Sequence, residues 1–147
     1  MKESAHLLVA DGDPCICALL SSVLHKDGIV ASCADNPRAA LWLMQHDRFD
    51  AAFVEVLQED IAWTPLMVGL ARQRVPIILM TGVPEATAWL EARSYPYLHK
   101  PFTSAQIRAV ARKAVLTGIL FGFIAGGGNA RSARDIARWR PDRDADL

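Results

Sequence analysis

The chain has 147 residues, of which 52% are hydrophobic. This length suits one domain with a buried core and is too short for that domain plus a conventional output domain. Basic and acidic residues both number 16, so the net charge is zero. The balance argues against nucleic acid or an anionic membrane as a partner and favours another protein.

The amino-terminal segment has one short apolar run with acidic residues on both sides. This pattern is typical of a first strand and differs from the apolar core of a signal peptide. We therefore expect a cytoplasmic protein. The chain has three cysteines, Cys15, Cys17 and Cys33, and this odd number in a cytoplasmic chain predicts no disulfide framework. We expect the cysteines to be small buried residues, because the C-x-C spacing and the absence of a nearby histidine pair disfavour a metal role.

Short apolar runs alternate five times with segments of helical spacing. The runs are nearly continuous, as in parallel strands covered on both faces. The alternation predicts a parallel sheet with helices on both faces, joined by right-handed crossovers. Predicted strands are residues 6–10, 29–33, 51–56, 76–81 and 97–99; predicted helices are residues 14–25, 37–46, 64–74, about 84–92, and from about 104 onward.

Polar side chains follow four of the predicted strands. Asp11 and Asp13 follow the first, Glu55 ends the third, Thr81 ends the fourth and Lys100 follows the fifth. The carboxyl ends of parallel strands meet at one edge, where functional groups collect. Carboxylates with a hydroxyl and an ammonium suit Mg²⁺ together with a phosphoryl group. Residue types alone leave a salt-bridged, solvated loop edge equally open.

The order of four segments makes the sequence similar to a known family. LLVADGDP, FDAAFVEV, PIILMTG and YLHKPF together resemble the receiver domains of two-component response regulators over about residues 6–115. The resemblance implies a flavodoxin-like, doubly wound, five-stranded parallel sheet with an extended C-terminal helix. We expect a receiver-like domain over residues 1–115 and an apolar helical extension with a charged tail over residues 116–147.

The same resemblance assigns expected roles to single residues. Lys100 corresponds to the lysine that contacts the acyl phosphate, Thr81 to the hydroxyl residue, and Tyr97 to the aromatic residue whose rotation reports activation. Glu55 stands at the phosphoacceptor position, where the family has an aspartate.

One metal ligand is also missing. Gly12 replaces the second member of the acidic pair, a usual Mg²⁺ ligand, which leaves Asp11, Asp13 and Leu57 as candidate metal positions. Weak or absent Mg²⁺ binding is therefore expected, with no other cofactor.

These departures predict degraded phosphorylation chemistry. The extra methylene of Glu55 displaces its carboxylate, and a misplacement of about 1 Å can cost on the order of 10²-fold in rate. Asp50 is no substitute, because it lies roughly 16 Å away at the other end of the same strand. Two more departures are a loop over residues 57–63 with Trp63 in place of a glycine, and a shortened fourth helix.

The leading interpretation is a stand-alone, atypical receiver without enzymatic activity. It would act in two-component signalling through contacts with a histidine kinase, a phosphotransfer protein or a downstream regulator, independently of phosphate. The alternative is a competent, Mg²⁺-dependent phosphoacceptor; a decoy domain that titrates a partner is a third possibility. Glu55 would either hold an active-like state through its permanent charge or only pair with Lys100.

An apolar stretch follows the last predicted helix. Residues 115–125 are too few to span a bilayer, and glycines recur at every fourth position from Gly118 to Gly126. We predict a homodimer through residues 103–125, with folding back onto the domain as the alternative. The 129–147 tail is expected to be a short helix or disordered, and its interleaved aspartates argue against nucleic acid.

Overall fold

A computed structural model describes residues 4–56, 63–92 and 97–117. Five strands and five helices alternate in these ranges, and the flavodoxin-like fold class predicted from the sequence is confirmed. The elements are β1 (His6–Ala10), α1 (Pro14–His25), β2 (Val30–Ala34), α2 (Pro37–His46), β3 (Ala51–Glu55), α3 (Thr64–Arg72), β4 (Ile77–Thr81), α4 (Pro84–Ala92), β5 (Tyr97–His99) and α5 (Ser104–Thr117).

All five strands are parallel, in the order β2-β1-β3-β4-β5. Ala10 is in register with Val54, Glu55 with Met80, and Thr81 with His99. The strands therefore end at one edge of the sheet, which brings the residues that follow them together.

Two hydrophobic clusters cover the two faces of the sheet. One contains buried residues of α2, α3 and α4, and the other contains buried residues of α1 and α5. Every residue of β3 and β4 is buried, which explains why these segments are continuously apolar in the sequence. Phe53, in the central strand, is one of the largest fully buried side chains.

Strand β2 departs from the predicted pattern. It is shifted by one residue, to Val30–Ala34, and it forms an edge of the sheet. Val30 is 53% exposed, so the expectation of a strand covered on both faces is wrong here. An edge strand needs less apolar cover because one of its sides faces solvent.

The helix ends follow local sequence signals. Asp13 Oδ1 accepts a hydrogen bond from Cys15 N at 2.9 Å, and Asn36 caps α2 in a similar way. At α5, Thr103 Oγ1 accepts from Gln106 N while Thr103 N donates to the Gln106 side chain, as in a capping box. Helix α3 ends two residues before its predicted limit, just ahead of a left-handed residue at position 74.

The prediction that no disulfide forms is wrong. Cys17 in α1 and Cys33 in β2 are joined by a disulfide, with their Cα atoms 6.0 Å apart. Cys15 is free and exposed, whereas the sequence predicted a buried side chain. Counting cysteines cannot reveal this pair, because only the packing of α1 beside β2 brings together residues 16 positions apart.

Helix α5 is described as far as Thr117. Ile107, Ala111 and Ala114 are buried, whereas Leu116 is 75% exposed. Predictions for the 57–62 loop and for the apolar stretch and tail after residue 117 lie outside the described residues. No helix in the described ranges is long and apolar enough to cross a membrane.

Candidate functional site

Three charged side chains meet at the carboxyl edge of the sheet. Lys100, just after β5, donates from Nζ to Asp11 Oδ2 at 2.6 Å and also to Glu55 Oε2. Asp11 and Glu55 are almost completely buried, and the Lys100 side chain is 17% exposed. The ammonium group therefore joins two buried carboxylates from different strands.

The loop after β1 fixes Asp11 from several directions. Asp11 N donates to the Ala34 carbonyl of β2 at 3.1 Å, and Asp11 Oδ1 accepts from Asp13 N at 2.8 Å. The Asp13 carboxylate caps α1 and is exposed. Asp13 thus belongs to the helix end, and only Asp11 of this loop contacts Lys100 through its side chain.

Thr81 is buried at the end of β4, beside the charged cluster. Its hydroxyl accepts from Val83 N at 3.1 Å, and its carbonyl accepts from Lys100 N at 2.8 Å. Thr81 therefore positions the Lys100 backbone. The following Lys100–Pro101 peptide bond is cis.

Tyr97 faces α4. Its hydroxyl donates a hydrogen bond to the Glu91 carboxylate on that helix. This bond, with a smaller contribution from burial, raises the pKa of Tyr97 above its ordinary value of 10.0. The aromatic residue is thus tied to the helix surface through its polar end.

Burial and ion pairing have opposite effects on the pKa values of Glu55 and Lys100 in this cluster. Burial raises the pKa of Glu55 above 4.5, more than the hydrogen bond from Lys100 lowers it, and the charge of Asp11 raises it further. Burial would lower the pKa of Lys100, but the hydrogen bonds to Asp11 and Glu55 outweigh it and raise this pKa above 10.5. Lys100 therefore stays charged at neutral pH, whereas burial disfavours the ionised form of Glu55.

The residues present do not fit a typical divalent cation site. Mg²⁺ needs several oxygen ligands in near-octahedral geometry. Here the Lys100 ammonium lies between Asp11 and Glu55, Gly12 supplies no carboxylate, and Asp13 caps a helix. Among the described residues no group of three acidic, histidine or cysteine side chains could hold a metal, and Leu57 lies outside them.

Sequence reasoning missed two sets of contacts. Glu91 holds Tyr97, and Asp27 pairs with Arg108 at 3.2 Å and with Arg112 at 3.8 Å, tying the end of α1 to α5. The pair Arg108 and Arg112 at helical spacing was a visible signal, but nothing in the sequence indicated its acidic partner.

The fold and the carboxylate–lysine cluster define a signalling domain of the receiver type. Residues 7–112 match the response regulator receiver domain family, and the chain belongs to it.

Two curated relatives are longer regulatory proteins. The chain is 28% identical over 120 residues to the transcriptional regulatory protein TcrA of Mycobacterium tuberculosis, which covers 76% of the chain and 47% of TcrA. It is 24% identical over 120 residues to the regulatory protein AtoC of Escherichia coli, covering 78% of the chain and 26% of AtoC. The chain thus spans about half the length of the first relative and a quarter of the second.

Solved structures share the fold. A two-component response regulator from Clostridium difficile superposes with a TM-score of 0.67 at 25% identity, covering 78% of this chain and 98% of that one. NtrX from Brucella abortus superposes with a TM-score of 0.68 at 20% identity, covering 78% of this chain and 28% of NtrX. The likeness to NtrX concerns the fold alone.

Proposed function

We propose that this protein is an atypical receiver that acts in two-component signalling through protein contacts, without being phosphorylated. The observation that carries the proposal is the Glu55–Lys100–Asp11 cluster. The residue at the phosphoacceptor position is buried, and the Lys100 ammonium joins it to Asp11.

Phosphoryl transfer requires an accessible nucleophilic oxygen and a metal that bridges it to the donor phosphate. Glu55 Oε2 already accepts from Lys100, and Glu55 is only 2% exposed. A metal would have to displace the Lys100 ammonium from between the two carboxylates, without a carboxylate from Gly12 to assist. Both requirements of the reaction are therefore weakened at the same place.

The role of Glu55 follows from its neighbours. Active-state mimicry would require its charge to engage Thr81, yet Glu55 accepts from Lys100, the Thr81 hydroxyl accepts from Val83 N, and the Tyr97 hydroxyl donates to Glu91. These contacts favour a Glu55 that neutralises Lys100 over a Glu55 that imitates a phosphoryl group. We propose a constant receiver surface that does not switch with phosphate.

The partner in this proposal is a protein of a two-component pathway, either a histidine kinase, a phosphotransfer protein or a downstream regulator. The setting is the cytoplasm, and the protein has no catalytic turnover of its own. The balanced net charge of the chain fits a protein partner better than nucleic acid. TcrA is called a transcriptional regulatory protein, but the matching part covers only 47% of it, so no output is transferred to this chain.

Phosphodonor treatment tests the proposal. The protein is incubated with acetyl phosphate and Mg²⁺, and its intact mass is measured. We expect no added phosphoryl group. The matched control is the double variant Gly12→Asp/Glu55→Asp, which adds the missing carboxylate at position 12 and shortens the one at position 55 to an aspartate, and which should gain one phosphoryl group.

A phosphoryl group on the wild-type protein that is missing from Glu55→Gln would overturn the proposal in favour of a competent phosphoacceptor. A partner-binding assay separates the two roles of Glu55. If Glu55→Gln loses affinity for a partner protein of the two-component pathway, Glu55 sets an active-like state. Unchanged affinity supports a Glu55 that only neutralises Lys100.

Leu116 favours a second proposal, a homodimer through residues 103–125. This leucine is 75% exposed beside a groove formed with Ala5, Ile29 and Val115. Exposed apolar side chains that continue into an apolar stretch mark interaction surfaces. Light scattering should give twice the chain mass for the full protein and the single-chain mass after truncation following Val115, which removes Leu116. A full protein that is a monomer, or a truncated chain that is still a dimer, would exclude this contact.

A further inference from the structure

Cys17 and Cys33 form a disulfide outside the charged cluster. Cys17 is the fourth residue of α1, Cys33 lies in the edge strand β2, and their Cα atoms are 6.0 Å apart. This separation is within the range that disulfides use without backbone movement. Both side chains are half-buried, and the proposed function uses neither.

We propose that Cys17 and Cys33 are a thiol–disulfide exchange site, opened by a dithiol or a glutathione-type thiol, that controls how residues 11–13 are held. The proposal goes beyond the proposed function, since it concerns a different pair of residues and a different chemistry. Three features support it: a groove that reaches Cys33, the polar groups near each sulfur, and hydrogen bonds that join the pair to the loop.

A surface groove gives a reductant access to Cys33. The groove has a volume of about 540 Å³ and an open mouth next to the exposed Trp42. An edge strand leaves this side of the sheet uncovered. The groove is lined by Cys33, Asn36, Arg38, Ala39, Trp42 and Leu43.

The exchange balances in two steps. A thiolate of the reductant attacks Cys33 Sγ, the Cys17–Cys33 bond breaks, and its electron pair goes to Cys17 Sγ, which takes a proton from water. A second thiolate of the reductant then attacks the reductant's own sulfur in the mixed disulfide and releases Cys33 as a thiolate, which is also protonated. The reductant is oxidised to its disulfide by two electrons, and the protein gains two thiols.

Both departing sulfurs have a stabilising environment. Cys17 lies near the amino end of the 12-residue helix α1, where the helix dipole favours a thiolate. Cys33 Sγ lies 3.5 Å from the Ser21 hydroxyl, which can donate to a thiolate. Each step therefore has a stabilised leaving group.

Hydrogen bonds connect the pair to the candidate functional site. Ala34, next to Cys33, accepts from Asp11 N at 3.1 Å, and Cys17 N donates to the Asp13 carbonyl at 3.4 Å. The disulfide thus holds the loop from the β2 side and from the α1 side at once. Breaking it removes the covalent link between β2, which bonds to Asp11, and α1, which bonds to Asp13. Asp11 is the residue of this loop that contacts Lys100.

Thiol counting on the full chain tests the chemistry. The Cys15→Ser variant removes the exposed free thiol and leaves the pair intact. The folded variant is equilibrated with mixtures of reduced and oxidised glutathione, or with dithiothreitol, alkylated, and weighed intact. We expect no alkylated thiols under oxidising conditions and two under reducing conditions, with the circular dichroism spectrum retained.

Amide hydrogen exchange tests the coupling to the loop. Reduction should accelerate exchange at Gly12 and Asp13 by about tenfold and leave Leu98 in β5 unchanged. Cys17→Ser, which cannot form the bond, should show the fast loop exchange under both conditions.

Four outcomes would overturn the proposal. In the thiol count, these are two alkylated thiols even after oxidation, or a disulfide that no thiol opens while the protein is folded. In the exchange experiment, they are unfolding on reduction, with faster amide exchange at Leu98 as well, or unchanged amide exchange at Gly12 and Asp13.

Discussion

At the level of single residues, the environment of Glu55 differs from that of a surface carboxylate. It is buried at the end of the central strand, and its Oε1 atom has no hydrogen-bond partner among the described residues. Burial disfavours the ionised carboxylate, and the nearby charge of Asp11 adds to this effect, so the folded state favours the protonated form more than water does. The pKa of Glu55 is raised for this reason, although the hydrogen bond from Lys100 opposes the shift.

This raised pKa predicts a pH-dependent effect of Glu55→Gln. Between the ordinary pKa of 4.5 and the higher folded-state value, the folded protein holds a proton that the unfolded chain has lost. Wild-type stability therefore falls as pH rises through this window, by up to about 1.4 kcal/mol per pH unit. The stability of Glu55→Gln should not fall in this way, because glutamine does not ionise.

Urea unfolding of both proteins at several pH values measures the effect. The stability of Glu55→Gln relative to wild type should increase as pH rises above 4.5. A constant difference across this range would contradict the raised pKa. Glu85→Gln, on the first turn of α4, is a suitable control, because that side chain is exposed.

Lys100→Met should be strongly destabilising at neutral pH. It leaves Asp11 and Glu55 buried without their cation, a loss that costs about 3–5 kcal/mol for a buried pair. The pKa of Lys100 is raised, so its contribution is complete below pH 10.5 and is lost as pH rises through the folded-state value.

The free energy of unfolding at pH 7 checks this prediction. The double variant Glu55→Gln/Lys100→Met removes one of the stranded charges and should recover part of the loss. Additive effects of the two single changes would mean that Glu55 and Lys100 are not energetically coupled.

At the level of secondary structure elements, the ends of the helices are determined locally. Helix α1 begins at the Asp13 cap and is followed by Gly28, which adopts a φ of 74°. Glycine tolerates this left-handed conformation, whereas other residues do so at a cost. The turn sends the chain from α1 into β2.

Gly28→Ala should lower stability by about 1 kcal/mol. No atom lies within 4 Å of the added Cβ, so the expected cost is conformational and not steric. Gly82→Ala is a matched control, because its Cβ would meet only ordinary contacts with Lys100 and its φ is not positive. Equal effects of the two changes in thermal unfolding would show that the φ of Gly28 has no special importance.

At the level of the whole molecule, the sheet separates two hydrophobic clusters that lie within the described residues. The α1–α5 cluster depends on Ile107, Ala111 and Ala114 of α5, and the Asp27 ion pairs reinforce the same contact. The core therefore extends into α5 as far as Ala114, while a receiver-like domain over residues 1–115 stays a prediction. The remaining residues, 116–147, are proposed to be an extension.

A chain truncated after Thr117 should keep the cooperative unfolding of the full protein, because it retains the buried α5 residues of the core. Truncation after Ala105, which removes the three buried α5 residues, should abolish it. Denaturant unfolding monitored by circular dichroism distinguishes the two. A large loss of stability on truncation after Thr117 would place the extension inside the folded domain.

The order of the elements and most of their limits follow from local patterns in the sequence. Buried parallel strands must be apolar throughout, and residues such as Asp13, Asn36 and Thr103 cap helices through contacts with their own neighbours in the chain. The sequence also indicated that Glu55 and Lys100 lie at the same edge of the sheet, because strands that run the same way end on the same side.

Only the tertiary structure decided which of those side chains make contact. The sequence placed Asp11 and Asp13 together, yet one contacts Lys100 and the other caps α1. It gave no sign of the Glu91 partner of Tyr97 or of the Cys17–Cys33 bond. Such contacts depend on how helices pack beside strands, because this packing brings residues that are far apart in the chain within a few ångströms of each other. Local sequence patterns do not encode these separations.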